Sequence, residues 1–138
     1  MCDHDARTIP AMPHSPNPRP VFFNLAEIQL PVGAWTSITH RITGVLLALG
    51  VPFCIYLLDI SLHGPSGFSE VQVLLGYLPV KGALIVLAWA LAHHVFAGVR
   101  HLLSDVDIGS QLPASRRSAW LANVGGVVVA LLVAAALL

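Results

Sequence analysis

Apolar residues gather into three long blocks that contain no Lys, Arg, Asp or Glu. Seventeen such residues lie between Arg41 and Asp59, eighteen between Lys81 and Arg100, and the last twenty-one follow Arg117. At a helical rise of 1.5 Å per residue these blocks are about 26, 27 and 31 Å long, close to the ~30 Å hydrocarbon core of a bilayer. None alternates with a period of two, and a helix satisfies its own backbone hydrogen bonds in lipid. The pattern therefore predicts an all-α integral membrane protein with three transmembrane helices, over about 34–62, 79–104 and 115–137. Pro52 falls inside the first and is expected to kink it modestly.

Composition supports this reading. Of 138 residues, 56% are apolar and only 10% charged, where a soluble domain carries about 25% charged residues. Three buried helices in so short a chain leave nothing to bury them, so a soluble globule is a poor account. Seven acidic residues balance seven Lys and Arg, so no net positive charge points to nucleic acid. Cys2 and Cys54 form neither a disulfide framework nor a zinc motif. The first twenty residues are Pro-rich, contain Asp3 and Asp5, and lack an apolar core. They suit neither a signal peptide nor a transit peptide. The expected organisation is a flexible tail over 1–23 and a single membrane-anchor domain over 24–138.

The basic residues predict orientation. Arg7, Arg19 and Arg41 precede or open the first helix, and Arg100, Arg116 and Arg117 flank the second loop, while Lys81 alone borders the first. Basic residues stay on the cytoplasmic side. The N-terminus is thus expected to be cytoplasmic and the C-terminus outside. Asn24 and Glu27 are spaced to cap a short helix leading into the membrane. Residues 61–69 read as a turn-rich outer loop, residues 71–80 as an apolar stretch at the outer interface, and residues 105–115 as a cytoplasmic loop.

Candidate chemistry lies in the polar groups carried by these spans, which are costly in lipid and point to function. His94, Gly98, His101 and Asp105 follow one another at +4, +3 and +4 and share one helix face. Gly98 opens a hollow one turn from His94, where a flat ligand can approach the backbone. A neutral imidazole beside such a notch suits a haem iron. Counting from Asp105, His94 lies ~16 Å and His101 ~6 Å inside the helix. The deeper histidine is the candidate iron ligand, and His40, Arg41, Arg100 and His101 lie where propionates would emerge. No second histidine of this chain is expected at comparable depth, so the iron is either five-coordinate or completed by a partner subunit, which is favoured. Ser37 and Arg41, one turn apart, form a polar clamp suited to a quinone oxygen. The plainer readings are a histidine packed between helices, snorkelling arginines, a glycine for close helix packing, and a helix-terminus hydrogen bond for Ser37 and Arg41.

Two segments carry a family resemblance. Arg19-Pro20-Val-Phe-Phe-Asn24-Leu25, continued by Ser37-Ile-Thr-His40-Arg41-Ile-Thr43-Gly44, resembles a signature of the succinate dehydrogenase cytochrome b556 subunit, the large membrane anchor of respiratory complex II. The second, His94-Val-Phe-Ala-Gly98-Val-Arg100-His101-Leu-Leu-Ser-Asp105, is similar to that family's other signature. Both stand in the family's order on the first and second helices.

The resemblance implies haem b shared with a second small membrane-anchor subunit, ubiquinone as substrate, and docking of an iron–sulfur and a flavoprotein subunit on the cytoplasmic side of a bacterial inner membrane. It implies His94 as the axial ligand, His40, Arg41 and His101 as propionate contacts, and Ser37 and Arg41 as the quinone pocket. The succinate chemistry would belong to other subunits. Ser104 departs from the family pattern, which has a bulky aromatic or Met there. His93 beside His94 creates an ambiguity of register. His94 is preferred because it shares a face with Gly98 and His101, whereas His93 points ~100° away. The alternatives are a haem-free anchor or assembly protein, and the anchor of a quinol:fumarate reductase.

Overall fold

A computed structural model describes residues 30–138. The expected tail over 1–23 and the expected cap at Asn24 and Glu27 lie outside the described residues. Among the described residues four helices follow in order: α1 (Val32–Leu62), α2 (Pro65–Gly76), α3 (Leu78–Asp105) and α4 (Leu112–Leu137). Three of them, α1, α3 and α4, are long and apolar enough to cross a membrane. With 31, 28 and 26 residues they are about 46, 42 and 39 Å long, more than a hydrocarbon core requires. Their apolar segments are only 11–17% buried, so most of their apolar surface suits lipid or other membrane-embedded protein.

The start of each later helix is marked by proline. Pro65, Pro79 and Pro113 all sit in first turns, where the missing N–H costs nothing and the fixed φ favours the helix. This corrects the expectation of a loop over 61–69. Gly64, with φ +94°, adopts a conformation open to glycine and breaks the chain between α1 and α2, and Pro65 starts α2 at once. Gly-Pro-Ser reads locally as a turn, but the turn is confined to residues 63–64. The apolar stretch over 71–80 is divided between α2 and α3, with Tyr77 extended between them. Helix α1 runs through Pro52 without interruption.

Helix α3 packs most extensively on α4, and α1 lies against α3 and, to a lesser extent, α4. On α1 the buried positions are Thr36, Thr43, Gly50 and Leu57. A seven-residue spacing is close to two helical turns, so these positions form one narrow seam. The α3–α4 contact uses Ala90, His93 and Ala97 on one side and Ala119, Ala122 and Gly126 on the other. Small residues permit the close backbone approach on which helix association in lipid depends. At Gly126 a Cβ atom would stand 3.0 Å from the His93 Cβ and 3.3 Å from its Cα.

Candidate functional site

His93 and His94 serve different neighbours. His93 is 1% exposed and points at α4. Its Nε2 lies 2.9 Å from Asn123 Oδ1. Because a carbonyl oxygen only accepts, Nε2 carries the proton and donates. Thr36 Oγ1 of α1 lies 3.3 Å from the same Asn123 oxygen and 3.0 Å from the Val32 carbonyl. One buried polar cluster therefore ties α1, α3 and α4 together. Among the described residues His93 Nδ1 is buried without a hydrogen-bond partner.

His94 turns towards α1. Its Nδ1 lies 3.1 Å from the His40 backbone carbonyl and 3.3 Å from Thr43 Oγ1. Thr43 Oγ1 itself donates to the same His40 carbonyl at 2.9 Å. The carbonyl only accepts, so the proton of neutral His94 resides on Nδ1, and Nε2 keeps its lone pair. Gly44 makes this possible: a Cβ there would come within 3.1 Å of His94 Cε1.

The rings of His40 and His94 are stacked, with centroids 4.0 Å apart and planes 16° from parallel. His101 stands 5.3 Å from His40, tilted at 55°. The hollow at Gly98 faces His40, whose Nε2 lies 3.5 Å from the position of a glycine Cβ. Three candidates, His40, His94 and His101, are thus brought together between α1 and α3, and Gly98 lies beneath them. This corrects the expectation that no second histidine lies at the depth of His94. His40 stands eight residues inside α1, about 12 Å from its start, against ~16 Å for His94 from the end of α3. The two side chains close the remaining gap. Stacked rings at 4.0 Å leave no room for a porphyrin between them, so His40 and His94 do not sandwich one iron.

Three other candidates are Ser37, Arg41 and Arg100. Arg41 is exposed and Ser37 half-buried on α1. Arg100 does not join the histidines. Its Nε donates to Ser118 Oγ at 3.2 Å and its Nη2 to Ser115 Oγ at 2.9 Å, both on α4. On α3 it stands six residues beyond His94, about 120° around the helix, which turns it towards α4. Among the described residues no group of three His, Cys, Asp or Glu is arranged to hold a bare metal ion. The donor set nevertheless fits haem. One imidazole has a free Nε2, and its Nδ1–H is fixed by a backbone carbonyl, as is usual for metal-bound histidines.

Comparison with known proteins shows the family. The family of succinate dehydrogenase/fumarate reductase transmembrane subunits matches residues 15–134. The chain belongs to this family. It is 33% identical to the succinate dehydrogenase cytochrome b556 subunit of Paracoccus denitrificans over 118 residues, covering 83% of this chain and 88% of the relative. It is 36% identical to the subunit of the same name from Coxiella burnetii over 103 residues, covering 74% and 82%. The Rickettsia felis subunit is 26% identical over 116 residues, covering 84% and 90%. As a multi-pass transmembrane subunit, the chain uses residues that charge counting overlooked: Thr36, Thr43, Gly44 and Asn123. Asn123 had a visible signal, as an amide near the middle of an otherwise apolar span. Thr43 and Gly44 stand in the quoted motif, but their partner, the ring of His94, becomes apparent only when α1 meets α3.

Proposed function

We infer that this chain is the cytochrome b membrane anchor of a succinate:quinone oxidoreductase in a bacterial inner membrane. The observation that carries this reading is the hydrogen bond from His94 Nδ1 to the His40 carbonyl, within a chain of this family. It holds His94 in the tautomer with Nε2 available to iron. Gly44 admits the ring to the α1 surface, and Thr43 limits its rotation. His40 and His101 lie beside His94 towards the basic end of the bundle, suited to receive anionic propionates. Haem b, held by His94 and by a residue of a second small membrane-anchor subunit, would supply reversible one-electron transfer.

Ser37 and Arg41 lie one turn apart on the same helix as His40. Arg41 offers a permanent positive charge to a quinone oxygen as that oxygen gains electron density, and Ser37 offers a hydroxyl donor. Both are accessible, as one wall of a pocket completed by an iron–sulfur subunit requires. That subunit and the flavoprotein dock at the basic end, which is the cytoplasmic end by the distribution of Arg41, Arg100, Arg116 and Arg117. The chain then provides anchor and pocket, and succinate oxidation takes place elsewhere in the complex.

Purification of the tagged chain in mild detergent tests this reading. A flavoprotein and an iron–sulfur protein are expected to co-purify, with a b-type absorption change on reduction. Co-purification without that change would favour a haem-free anchor. Faster turnover with quinol and fumarate than with succinate and quinone would favour the reverse enzyme.

A further inference from the structure

Opposite the histidines, α3 and α4 form an open groove of about 460 Å³, lined by Val95, Phe96, Val99, Leu121 and Gly125 and closed at one end by Arg100. At 100° per residue, Val95, Phe96 and Val99 lie about 100–200° around α3 from His94, so this groove is separate from the haem face. A second hollow of about 310 Å³ shares Arg100, Leu103, Ser118 and Leu121 with it and adds Arg117. Together they reach from Ala114 to Gly125 along α4, a distance of about 16 Å. One end holds two guanidinium groups and the hydroxyls of Ser104 and Ser118, while the rest is apolar. The hydrogen bonds of Arg100 go to uncharged Ser115 and Ser118, and neither Asp105 nor Asp107 lines either hollow. Exposed Trp120 stands within one turn of Arg117, the level at which aromatic residues meet lipid headgroups.

We propose that this groove binds an anionic phospholipid, its phosphate held by Arg100 and Arg117 and one acyl chain laid between α3 and α4. Charge complementarity selects the occupant: a phosphodiester accepts two guanidinium contacts at the headgroup level, and an apolar channel below receives a chain. A zwitterionic lipid brings a choline cation against the two guanidinium groups along with its phosphodiester, and a quinone tail would leave the arginine end unused.

The test uses the whole purified complex, depleted of lipid and then titrated with phosphatidylglycerol or phosphatidylcholine of identical chains, with bound lipid counted by native mass spectrometry. The wild type is expected to prefer phosphatidylglycerol by about tenfold, and the combined R100Q/R117Q variant to lose that preference. Val99→Trp, which fills the channel from an exposed position, is expected to lower retention of both lipids, and Arg116→Gln to change neither. Subunit co-purification and the haem spectrum report assembly separately, so failure of the lipid site is distinguishable from failure of the anchor reading. Equal retention of the two lipids by the wild type, no bound lipid at all, or an undiminished preference in R100Q/R117Q would overturn the proposal. So would equally tight binding of glycerol phosphate, which lacks the chain.

Discussion

The imidazole of His94 on α3 lies flat against that of His40 on α1, 4.0 Å between centroids, and its Nδ1 meets the backbone carbonyl of the same residue at 3.1 Å. One residue of α1 therefore fixes both the plane and the tautomer of the candidate iron ligand. Gly44 sets how closely they approach. Gly44→Ala places a methyl group 3.1 Å from His94 Cε1, so the ring must shift by a few tenths of an ångström. The expected result is weaker haem retention, within the 10–100-fold range typical of perturbed ligand support, measured by haem content after detergent washing. Gly98→Ala meets His40 only at 3.5 Å and is expected to retain haem normally. Equal effects of the two substitutions would argue against the arrangement.

His93 has a structural role in the account, through the lock it forms with Asn123. His93→Leu removes the 2.9 Å donor to the half-buried Asn123 oxygen, which keeps only Thr36 Oγ1 at 3.3 Å, and should cost about 1 kcal/mol. Thermal unfolding of the purified complex is expected at a lower temperature, with the b-type spectrum retained. Gly126→Leu attacks the same contact from α4, since even a Cβ there meets His93 at 3.0 Å, and is expected to lower stability further. Loss of the haem spectrum in His93→Leu alone, with His94 variants unaffected, would reverse the two roles.

The proposed quinone contacts are Arg41 and Ser37. A charged hydrogen-bond donor contributes about 1.5–3 kcal/mol and a neutral one about 1 kcal/mol, and each 1.4 kcal/mol is a factor of ten in rate. Arg41→Leu is expected to lower succinate:quinone turnover about 10–100-fold, and Ser37→Ala about fivefold. Succinate oxidation with a soluble dye acceptor should be unchanged in both. A matching loss with the dye would place the defect in assembly instead.

Orientation follows from the placement of arginine and is testable by labelling. Native cysteines are first replaced by serine, because Cys54 is exposed. Single cysteines are then introduced at Ser66, in the first turn of α2, and at Ser110, in the loop before α4. A membrane-impermeant maleimide applied to intact cells with a permeabilised outer membrane is expected to label position 66 and not 110. The reverse pattern would invert the topology.

The spans were legible because gaps between charges are a direct record of what lipid tolerates. Helix boundaries fell within a few residues for the same reason, although Pro113, within the expected loop over 105–115, lies in the first turn of α4. Helix α2 was hidden because Gly-Pro-Ser signals a turn at short range, while Pro65 equally suits a helix start. At the site, the shared face of His94, Gly98 and His101 followed from helical periodicity alone. Periodicity within one helix says nothing about how deeply a neighbouring helix is set, so the contact of His40 with His94 was invisible. Arg100 was misplaced for a related reason. Its depth matched the histidines, but its direction around α3 sends it to Ser115 and Ser118 of α4.

The reduced-minus-oxidised absorption spectrum of the purified complex carrying His94→Leu decides whether His94 binds the iron. The flavoprotein and iron–sulfur subunits are expected to co-purify still while the b-type signal disappears. A complex with His94→Leu that keeps a wild-type b-type spectrum would contradict that role of His94.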